Sequence, residues 1–521
     1  MAENQNPERR NVAYNFDMDD DWDAEKVLQE RRAPTPPPKV QPSSYDPSRR
    51  LPEQPVGAQL HRAPRKRKKR KNARGWLVLT AVALAALLVI GGLASLVVAV
   101  ITPEAEAEVT TEATEPTVPP EQVIDGLLAE AEPLAASYDY DKAIGVLEQF
   151  GADWQQQPLL ADAYRRYNDA KNLCVRYEDT TQTTHIFFHS LIVDTARAFD
   201  GDSKTTGYNQ YMTTVDEFKA MLEELYKRDF VLVRIHDIAV ELTNPDGSTS
   251  YVQGDIYLPP GKKPLIISQD DVNYYEYMVD SDGDKLPDAG GDGFANRLVI
   301  GDDGKPTCQY ITAAGETVCG DYDLVPILDR FVEEHPDFSY RGAKAIIAVT
   351  GYEGVYGYHT HPEWKEIIGI DEYDKECQAA REMTKCLKDN GYEIASHSYG
   401  HPSYGEHSVD EVAADVQKWE DQVQPIVGDT DIFIYPYGAD IAGVEDYSGG
   451  KFEAMYAAGY RYFCNVDSTK YWVQIKQSYV RQGRRNLDGY RMWWNPELLD
   501  DLFNVQELFD PARPTPVPSI V

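Results

Sequence analysis

Cysteine and basic residues are scarce in this sequence. Six cysteines in 521 residues are too few for a disulfide scaffold, which small secreted domains use in place of a large core. Residues 1–75 carry 17 Lys and Arg against 11 Asp and Glu, whereas the rest of the chain carries 34 against 75. So acidic a body offers no cationic surface to phosphates, which argues against nucleic acid as a partner.

Charge is also absent from residues 76–101, an apolar run of 26 residues. As a helix it would measure about 39 Å at roughly 1.5 Å per residue, longer than the ~30 Å hydrocarbon core of a bilayer. Residues 62–74 contain nine basic and no acidic residues, and residues 102–116 contain no basic one. Since the positive side of a span stays in the cytoplasm, the pattern predicts a single-pass cell-membrane protein with a cytoplasmic N-terminus and an extracellular body. A nucleic-acid or nuclear signal is the alternative interpretation of the basic run.

Composition divides the chain into six segments. The N-terminal tail is polar and Pro-rich, and an acidic Thr/Glu-rich linker follows the apolar run. Apolar residues then recur at helical spacing, as in a tetratricopeptide-like hairpin, before short apolar strands alternate with helices as in an α/β domain. The predicted segments are a disordered tail 1–75, a transmembrane helix 76–101, a linker 102–120, a helical stalk 121–182, an α/β domain 183–505 and a Pro-rich tail 506–521.

Candidate functional residues follow three of the predicted strands, where parallel α/β folds place their sites. His397 and His401 come after YEIAS, and one helical turn would bring positions i and i+4 to the same face, as a metal requires. Asp270 and Asp271 end another strand, where adjacent carboxylates repel each other unless a cation or a proton offsets them. A solvated turn is the alternative for this pair. The third motif is YPYG, residues 435–438.

Together these segments resemble the polysaccharide deacetylases with a NodB homology domain, carbohydrate esterase family four. GYEIASHSYGHP, residues 391–402, is similar to the family's second motif, H-[S/T]-x-x-H. LIISQDD, residues 265–271, stands where the family has T-F-D-D, and FIYPYG, residues 433–438, stands where it has R-P-P-Y-G or Y-P-Y-G. The resemblance covers about residues 183–500 and implies an α/β fold of the distorted (β/α) barrel type, here preceded by the transmembrane helix and the helical stalk.

The resemblance also implies individual roles: Asp270 as general base, Asp271, His397 and His401 as metal ligands, and the backbone N–H of Tyr437 as a donor to the oxyanion. Two imidazoles and a carboxylate suit Zn²⁺, with Co, Ni or Mn as alternatives. The implied activity is metal-dependent hydrolysis of N-acetyl groups on an extracellular or cell-wall polysaccharide, that is, of carbon–nitrogen bonds. An O-acetyl target is the alternative.

The sequence departs from the family pattern in ways that bear on catalysis. Ser and Gln replace the Thr and Phe of T-F-D-D, and no Arg stands beside Tyr435 to steady the base. The leucine-flanked His that acts as the catalytic acid is absent too, and Arg485, Asp488 or a water could substitute. These gaps motivate a second hypothesis, a catalytically inactive deacetylase-like module that binds or senses a glycan.

Two further patterns predict a calcium site and a disulfide. DSDGDKLPD, residues 280–288, spaces carboxylates as oxygen-rich calcium loops do, against the alternative of a solvated acidic loop. Cys308 and Cys319 flank a hairpin-like stretch and either bridge or remain free thiols. The candidate calcium ligands are Asp280, Asp282, Asp284 and Asp288.

Overall fold

The computed structural model describes residues 119–280 and 285–520. The predicted tail 1–75 and transmembrane helix 76–101 lie outside the described residues, as does nearly all of the linker 102–120. Within the part of the chain that is described, no helix combines the length and the apolarity needed to cross a membrane. Membrane anchoring therefore remains a prediction.

The strands of the described residues are short. In chain order they are Val175–Arg176 (β1), Thr184–Phe188 (β2), Phe230–Leu232 (β3), Ala239–Thr243 (β4), Thr249–Gln253 (β5), Tyr257–Leu258 (β6), Lys263–Gln269 (β7), Arg297–Ile300 (β8), Pro306–Ile311 (β9), Thr317–Gly320 (β10), Ala345–Val349 (β11), Glu393–Ser396 (β12), Ile432–Ile434 (β13), Tyr462–Val466 (β14), Val473–Ile475 (β15) and Val480–Asn486 (β16).

The α-helices range from one turn to five. In the described residues they are Pro120–Ala136 (α1), Tyr140–Glu148 (α2), Pro158–Leu173 (α3), Thr195–Ala198 (α4), Thr205–Tyr211 (α5), Val215–Lys227 (α6), Ile235–Ile238 (α7), Glu276–Val279 (α8), Leu324–Glu334 (α9), Trp364–Ile367 (α10), Ile370–Asp389 (α11), Val409–Gln422 (α12), Gln424–Val427 (α13), Gly450–Ala457 (α14), Gly489–Trp494 (α15) and Val505–Leu508 (α16).

Seven parallel strands close into a barrel in the order β11, β12, β13, β14, β16, β2 and β7, with β7 pairing again with β11. β3 extends the sheet along the first half of β7, and β15 lies antiparallel on β16. Most barrel strands are apolar runs because both of their faces are covered, one by the lumen and one by helices. The predicted α/β barrel is confirmed at this level.

Side chains alternate between two cores along each barrel strand. On β7, Ile266 belongs to the cluster that fills the lumen. Its neighbours Leu265 and Ile267 belong to the cluster that packs against the helices, with Phe218 from α6 and Met383 from α11. This alternation directs every second residue at a strand end toward the mouth of the barrel.

Two helices of the barrel domain, α6 and α12, begin with capping boxes. Thr214 accepts a hydrogen bond from the Glu217 N–H, and Glu217 accepts one from the Thr214 N–H, which forms a capping box at the start of α6. Ser408 and Glu411 form the same arrangement at the start of α12. Each box satisfies two donors that the first turn of a helix leaves unpaired.

Both ends of the described chain are attached to the barrel domain. The helices α1 to α3 share an apolar core, and the Tyr138 hydroxyl donates to the Asp337 carbonyl oxygen of the barrel domain at 2.7 Å. The last helix ends at Leu173, so residues 174–182 of the predicted helical stalk pass along the barrel domain instead, where β1 pairs with β6. In the predicted C-terminal tail, Arg513 forms a buried ion pair with Glu217.

The structure corrects one local expectation and decides another that the sequence left open. The apolar stretch FVLVRIHDIAV, residues 230–240, predicts a single strand, but β3 ends at Leu232 and α7 intervenes before β4 begins at Ala239. β9 and β10 form the expected hairpin, but Cys319 pairs with Gln309 and is exposed, whereas Cys308 is buried, and both thiols are free. Neighbouring positions on a strand point to opposite faces, which keeps the two sulfurs apart.

The calcium prediction concerns a loop that is only partly described. Asp282 and Asp284 lie outside the described residues, and of the other two candidate ligands Asp280 accepts a hydrogen bond from the Lys285 N–H at 2.8 Å. The site at Asp280, Asp282, Asp284 and Asp288 therefore remains a prediction.

Candidate active site

Three side chains converge at the mouth of the barrel. His397 Nε2 and His401 Nε2 each lie 3.8 Å from Asp271 Oδ2, and one ligand atom from each residue falls within 4.8 Å of the others. His397 is buried, while Asp271 and His401 are partly buried. The two histidines and Asp271 are thus brought together as the sequence predicts.

The loops after β7 and β12 position these residues. The His397 N–H donates to the Val349 carbonyl oxygen at 2.9 Å, which continues the pairing of β12 with β11. The expected helical turn between the histidines is absent: residues 397–401 form a loop in which Ser398 and His401 have φ values of 63° and 58°. The Ser398 hydroxyl oxygen accepts the His401 N–H at 2.9 Å and closes the loop. Asp271 also has a positive φ, 58°, and such costly conformations cluster at functional sites.

The donor set suits a divalent metal. His397 Nδ1–H donates to the Ile434 carbonyl oxygen at 2.9 Å, a bond that leaves the lone pair of Nε2 toward Asp271. Separations of 3.8 Å are close to the roughly 3.4 Å between ligand atoms around a tetrahedral ion with bonds of about 2.1 Å. One carboxylate and two imidazole nitrogens therefore match the ligand types of a catalytic zinc site.

A hydrogen-bonded shell orients Asp271. Its Oδ1 accepts a bond from the Tyr275 hydroxyl at 2.7 Å, and that hydroxyl also contacts Thr350 Oγ1 at 2.7 Å. Burial would raise the pKa of Asp271, but His401 and His397 outweigh it and lower the pKa. Asp271 is thus an anion with one oxygen held by tyrosine and the other beside the imidazoles.

Asp270 is held by an arginine of β16, 214 residues further along the chain. Arg484 Nη1 and Nη2 donate to its two carboxylate oxygens at 2.6 and 2.9 Å, and the side chains of Arg484 and Asp270 are 1% and 4% exposed. Burial favours the neutral acid, but the guanidinium prevails and lowers the pKa of Asp270 to about 2. A bidentate pair of this kind fixes both the charge and the direction of the carboxylate.

A polar layer inside the barrel supports this pair. Arg484 also donates to Ser268 Oγ at 3.1 Å, and Ser268 contacts His185 Nε2 at 2.9 Å. Burial and the nearby Arg484 lower the pKa of His185 to about 3, so its ring is neutral. Its Nδ1–H can then donate to Gln482 Oε1, 3.1 Å away. The serine that replaces the family's threonine is therefore the first member of a chain of hydrogen bonds behind the base.

Tyr437 lies beside the histidines on the loop after β13. Its ring centroid is 4.5 Å from that of His401, and its backbone has a φ of 57° within the turn Pro436–Gly438. This conformation turns the peptide of Tyr437 relative to the strand before it. The role of its N–H as an oxyanion donor remains a prediction.

Residues 360–463 match the family model described as Polysaccharide deacetylase. The matched segment contains both histidines of the site and Tyr437. The chain carries a polysaccharide deacetylase domain.

Known structures and curated proteins add little to this assignment. The Streptococcus pyogenes deacetylase PplD in complex with acetate is 12% identical, with a TM-score of 0.32 over 65% of this chain and 100% of that one. BA0330 of Bacillus anthracis, a candidate polysaccharide deacetylase, is 10% identical, with a TM-score of 0.30 over 60% and 65% of the two chains. No curated protein matches the sequence. The assignment rests on the matched segment and on the residues it contains.

Arg484, rather than an arginine beside Tyr435, is the residue that pairs with Asp270. It comes from β16, which pairs with β14 and β2. The motif analysis missed it because the signal is not local: the partner of Asp270 lies 214 residues away in the chain. Arg485, the next residue, points to the other face, where it pairs with Asp501 at 2.8 Å. It is therefore not placed to act as the catalytic acid.

His189 is a second residue of the deacetylase domain that motif analysis missed. It directly follows β2, and its Nδ1–H can donate to the Tyr211 carbonyl oxygen, 3.1 Å away. Its ring packs 5.8 Å from Phe187, whose other neighbour is the Arg484 guanidinium at 4.1 Å. Burial raises the pKa of Asp270, and His189 is among the side chains that lower it, after Arg484 and His397. An imidazole thus lies near the base.

Asp488 is buried and already engaged. It accepts hydrogen bonds from the Arg491 N–H at 2.7 Å and from Asn486 Nδ2 at 2.6 Å, which makes it the N-cap of α15. Burial raises its pKa. Its contacts favour a structural role over that of the acid.

Proposed function

We propose that the deacetylase domain hydrolyses N-acetyl groups of an extracellular or cell-wall polysaccharide in a metal-dependent reaction. The observation that carries this proposal is the convergence of Asp271, His397 and His401 beside Asp270, a carboxylate that Arg484 keeps ionised. An O-acetyl ester could enter the same site, but the placement of an imidazole as a proton donor favours the amide, whose nitrogen must be protonated before it leaves.

Asp271 and the Nε2 atoms of His397 and His401 would hold the ion. A divalent metal there, Zn²⁺ first and Co, Ni or Mn as alternatives, would polarise the acetyl carbonyl and lower the pKa of water. Asp270 is the proton acceptor, because its carboxylate is ionised at neutral pH and is fixed at two points by Arg484. The N–H of Tyr437 would stabilise the charge that develops on the carbonyl oxygen.

His189 is the candidate proton donor. Water adds to the acetyl carbon as Asp270 takes one of its protons, and the carbon–nitrogen bond then breaks as His189 gives a proton to the nitrogen. The products are acetate and the free amine of the sugar. Asp270 then releases its proton to solvent, and His189 regains one from solvent. Since the Tyr211 carbonyl holds Nδ1, Nε2 is the atom from which the proton would leave.

The test is acetate release by the full chain from N-acetylglucosamine oligomers and from cell-wall glycan, with acetylated xylan as the O-acetyl substrate. We expect release that requires Zn²⁺, Co²⁺, Ni²⁺ or Mn²⁺ and stops with chelator. His397→Ala should lose both the bound metal and the release while retaining the circular dichroism of the wild type. Release that chelator does not affect would contradict the metal, and a metal-loaded chain that releases nothing would favour the glycan-binding hypothesis.

A further inference from the structure

A cavity of about 30 Å³ lies next to the active site, between α8 and the loop that follows β11. A pair of tyrosines connects it to the metal ligands: Tyr275, which donates to Asp271, stacks on Tyr352 with parallel rings whose centroids are 4.8 Å apart. Glu276 follows the first tyrosine and Glu353 the second, and both line the cavity. Each carboxylate is therefore the neighbour in sequence of one tyrosine of this stacked pair.

Only one of these carboxylates has a cation beside it. Lys285 Nζ lies 3.4 Å from Glu276 Oε1. Glu353 Oε2 accepts the Glu276 N–H at 2.8 Å, and among the described residues no Lys, Arg or His nitrogen lies within 4 Å of its carboxylate. Burial, helped by repulsion from Glu276, raises the pKa of Glu353 to about 8, although the Glu276 N–H and the charge of Lys285 act to lower it. His359 also lines the cavity, but burial lowers its pKa to about 4, so it brings no positive charge at neutral pH.

A second feature of the cavity is a buried oxygen that lacks a hydrogen-bond donor. Asn296 lines it and is 7% exposed; its Nδ2 donates to Gln309 Oε1 at 3.2 Å, while its Oδ1 accepts no bond from any described residue. A buried acceptor without a donor is unfavourable by about 1–3 kcal/mol. Trp364 lines another side of the cavity, and its ring is already contacted by the His359 ring, 3.7 Å away between centroids, and by Lys285 Nζ, 5.7 Å from the centroid.

We propose that this cavity is a subsite for an ammonium group, namely the free amine of a sugar that has already lost its acetyl group on the same glycan. The identity of this ligand rests on the proposed function, whose product carries that amine. An ammonium group would give Glu353 its missing cation and Asn296 Oδ1 its missing donor. Lys285, which also lines the cavity, pairs with Glu276. An ionised Glu353 therefore leaves one negative charge for one ammonium group, whereas calcium seeks six to eight oxygens.

The size of the cavity sets how the sugar would lie. At about 30 Å³ it has room for roughly two water-sized groups, since one needs about 10–15 Å³. The amine can enter, and the sugar ring stays outside the cavity. The subsite therefore favours glycans that are already partly deacetylated, with an acetylated sugar at the metal ligands and a free amine nearby.

Calorimetry with the full chain tests this subsite at pH 7, using the glucosamine tetramer and the N-acetylglucosamine tetramer as ligands. We expect roughly tenfold to hundredfold tighter binding of the amine-bearing tetramer, the factor typical of a charge-assisted hydrogen bond. Binding should release protons, seen as heats that depend on the buffer, because Glu353 must ionise to meet the ammonium. Glu353→Gln should abolish both effects, and Glu366→Gln, an exposed carboxylate on α10, should change neither.

Equal affinity of the wild type for the two tetramers, or a preference that persists in Glu353→Gln, would overturn the subsite. Should Glu353→Gln not fold, Glu353→Asp keeps the charge and is expected to retain part of the preference, while proton release by the wild type needs no variant. Acetate release separates the two proposals. If the chain releases acetate but does not prefer the amine-bearing tetramer, only the subsite is contradicted. If it prefers that tetramer but releases no acetate, the ammonium site stands and the deacetylase activity is contradicted.

Discussion

Replacing Arg484 with glutamine removes the cation that keeps the proposed base ionised. Arg484 binds both oxygens of Asp270 in a pair of which less than 5% is exposed on either side. Despite burial, the pKa of Asp270 falls from 3.8 to about 2, which corresponds to about 2 kcal/mol at ~1.4 kcal/mol per pKa unit. Since the pKa is lowered in the folded protein, this stabilisation is present above about pH 4 and is lost as the pH falls toward 2.

In Arg484→Gln the Asp270 carboxyl would remain buried without its cation. Burial alone raises carboxyl pKa values by up to about 3–5 units, so the acidic limb of the pH profile of kcat/KM should move to higher pH by at least one unit. Removing one partner of a buried ion pair also lowers the free energy of unfolding, by about 3–5 kcal/mol. Acetate release between pH 4 and 9 measures the first effect, and urea unfolding measures the second.

Arg485→Gln is the matched control. Arg485 is the next residue of β16 and is equally buried, but its partner is Asp501 on the other face of the strand. It should keep the acidic limb in place and lose less stability, because Lys470 Nζ remains 3.2 Å from Asp501. Arg484→Lys, which retains one charge, should shift the limb less than Arg484→Gln. A folded Arg484→Gln enzyme whose acidic limb coincides with that of Arg485→Gln would refute the assignment of Arg484 as the residue that keeps the base ionised.

Two histidines supply the remaining predictions. His189→Gln should lower kcat by about 10²–10⁴, the usual worth of a general acid, with metal content by elemental analysis unchanged; loss of the metal would instead mark a structural role. His236 lies between Glu393 and Asp431, which outweigh burial and raise its pKa from 6.5 to about 10. Its stabilisation is therefore complete below pH 6.5 and lost toward pH 10, so the melting temperatures of wild type and His236→Gln should converge over that range. A constant gap would contradict the assignment.

The two hypotheses drawn from the sequence, an enzyme and an inactive binding module, differed over a missing arginine and a missing acid. The structure offers a residue for each gap, since Arg484 holds Asp270 and His189 stands beside it. Both come from strands close to β7 in the barrel. His189 directly follows β2, which pairs with β7, and Arg484 lies on β16, which pairs with β2. These placements support the enzyme, which acetate release will test.

Barrel strands could be predicted where they are apolar and not where they are polar. β7, β11 and β13 appear in the sequence as short hydrophobic runs because both of their faces are buried. β16 reads VRQGRRN, a stretch typical of an exposed loop, yet all of its residues are buried. Its arginines are tolerated there because Arg481, Arg484 and Arg485 meet Asp440, Asp270 and Asp501, and buried charges need such partners.

What the sequence alone determined is the local chemistry: a histidine pair after one strand, an aspartate pair after another, and helices whose caps and apolar faces are formed by residues close together in the chain. What only the tertiary structure decided is which distant residues lie near those motifs, namely Arg484 on Asp270, His189 near the base, and Glu353 in a cavity that Asn273 and Tyr274 also line. The physical reason is that a motif records only contacts between residues close in the chain. The charge of a buried carboxylate, in contrast, depends on whichever side chains barrel closure brings within a few ångströms of it.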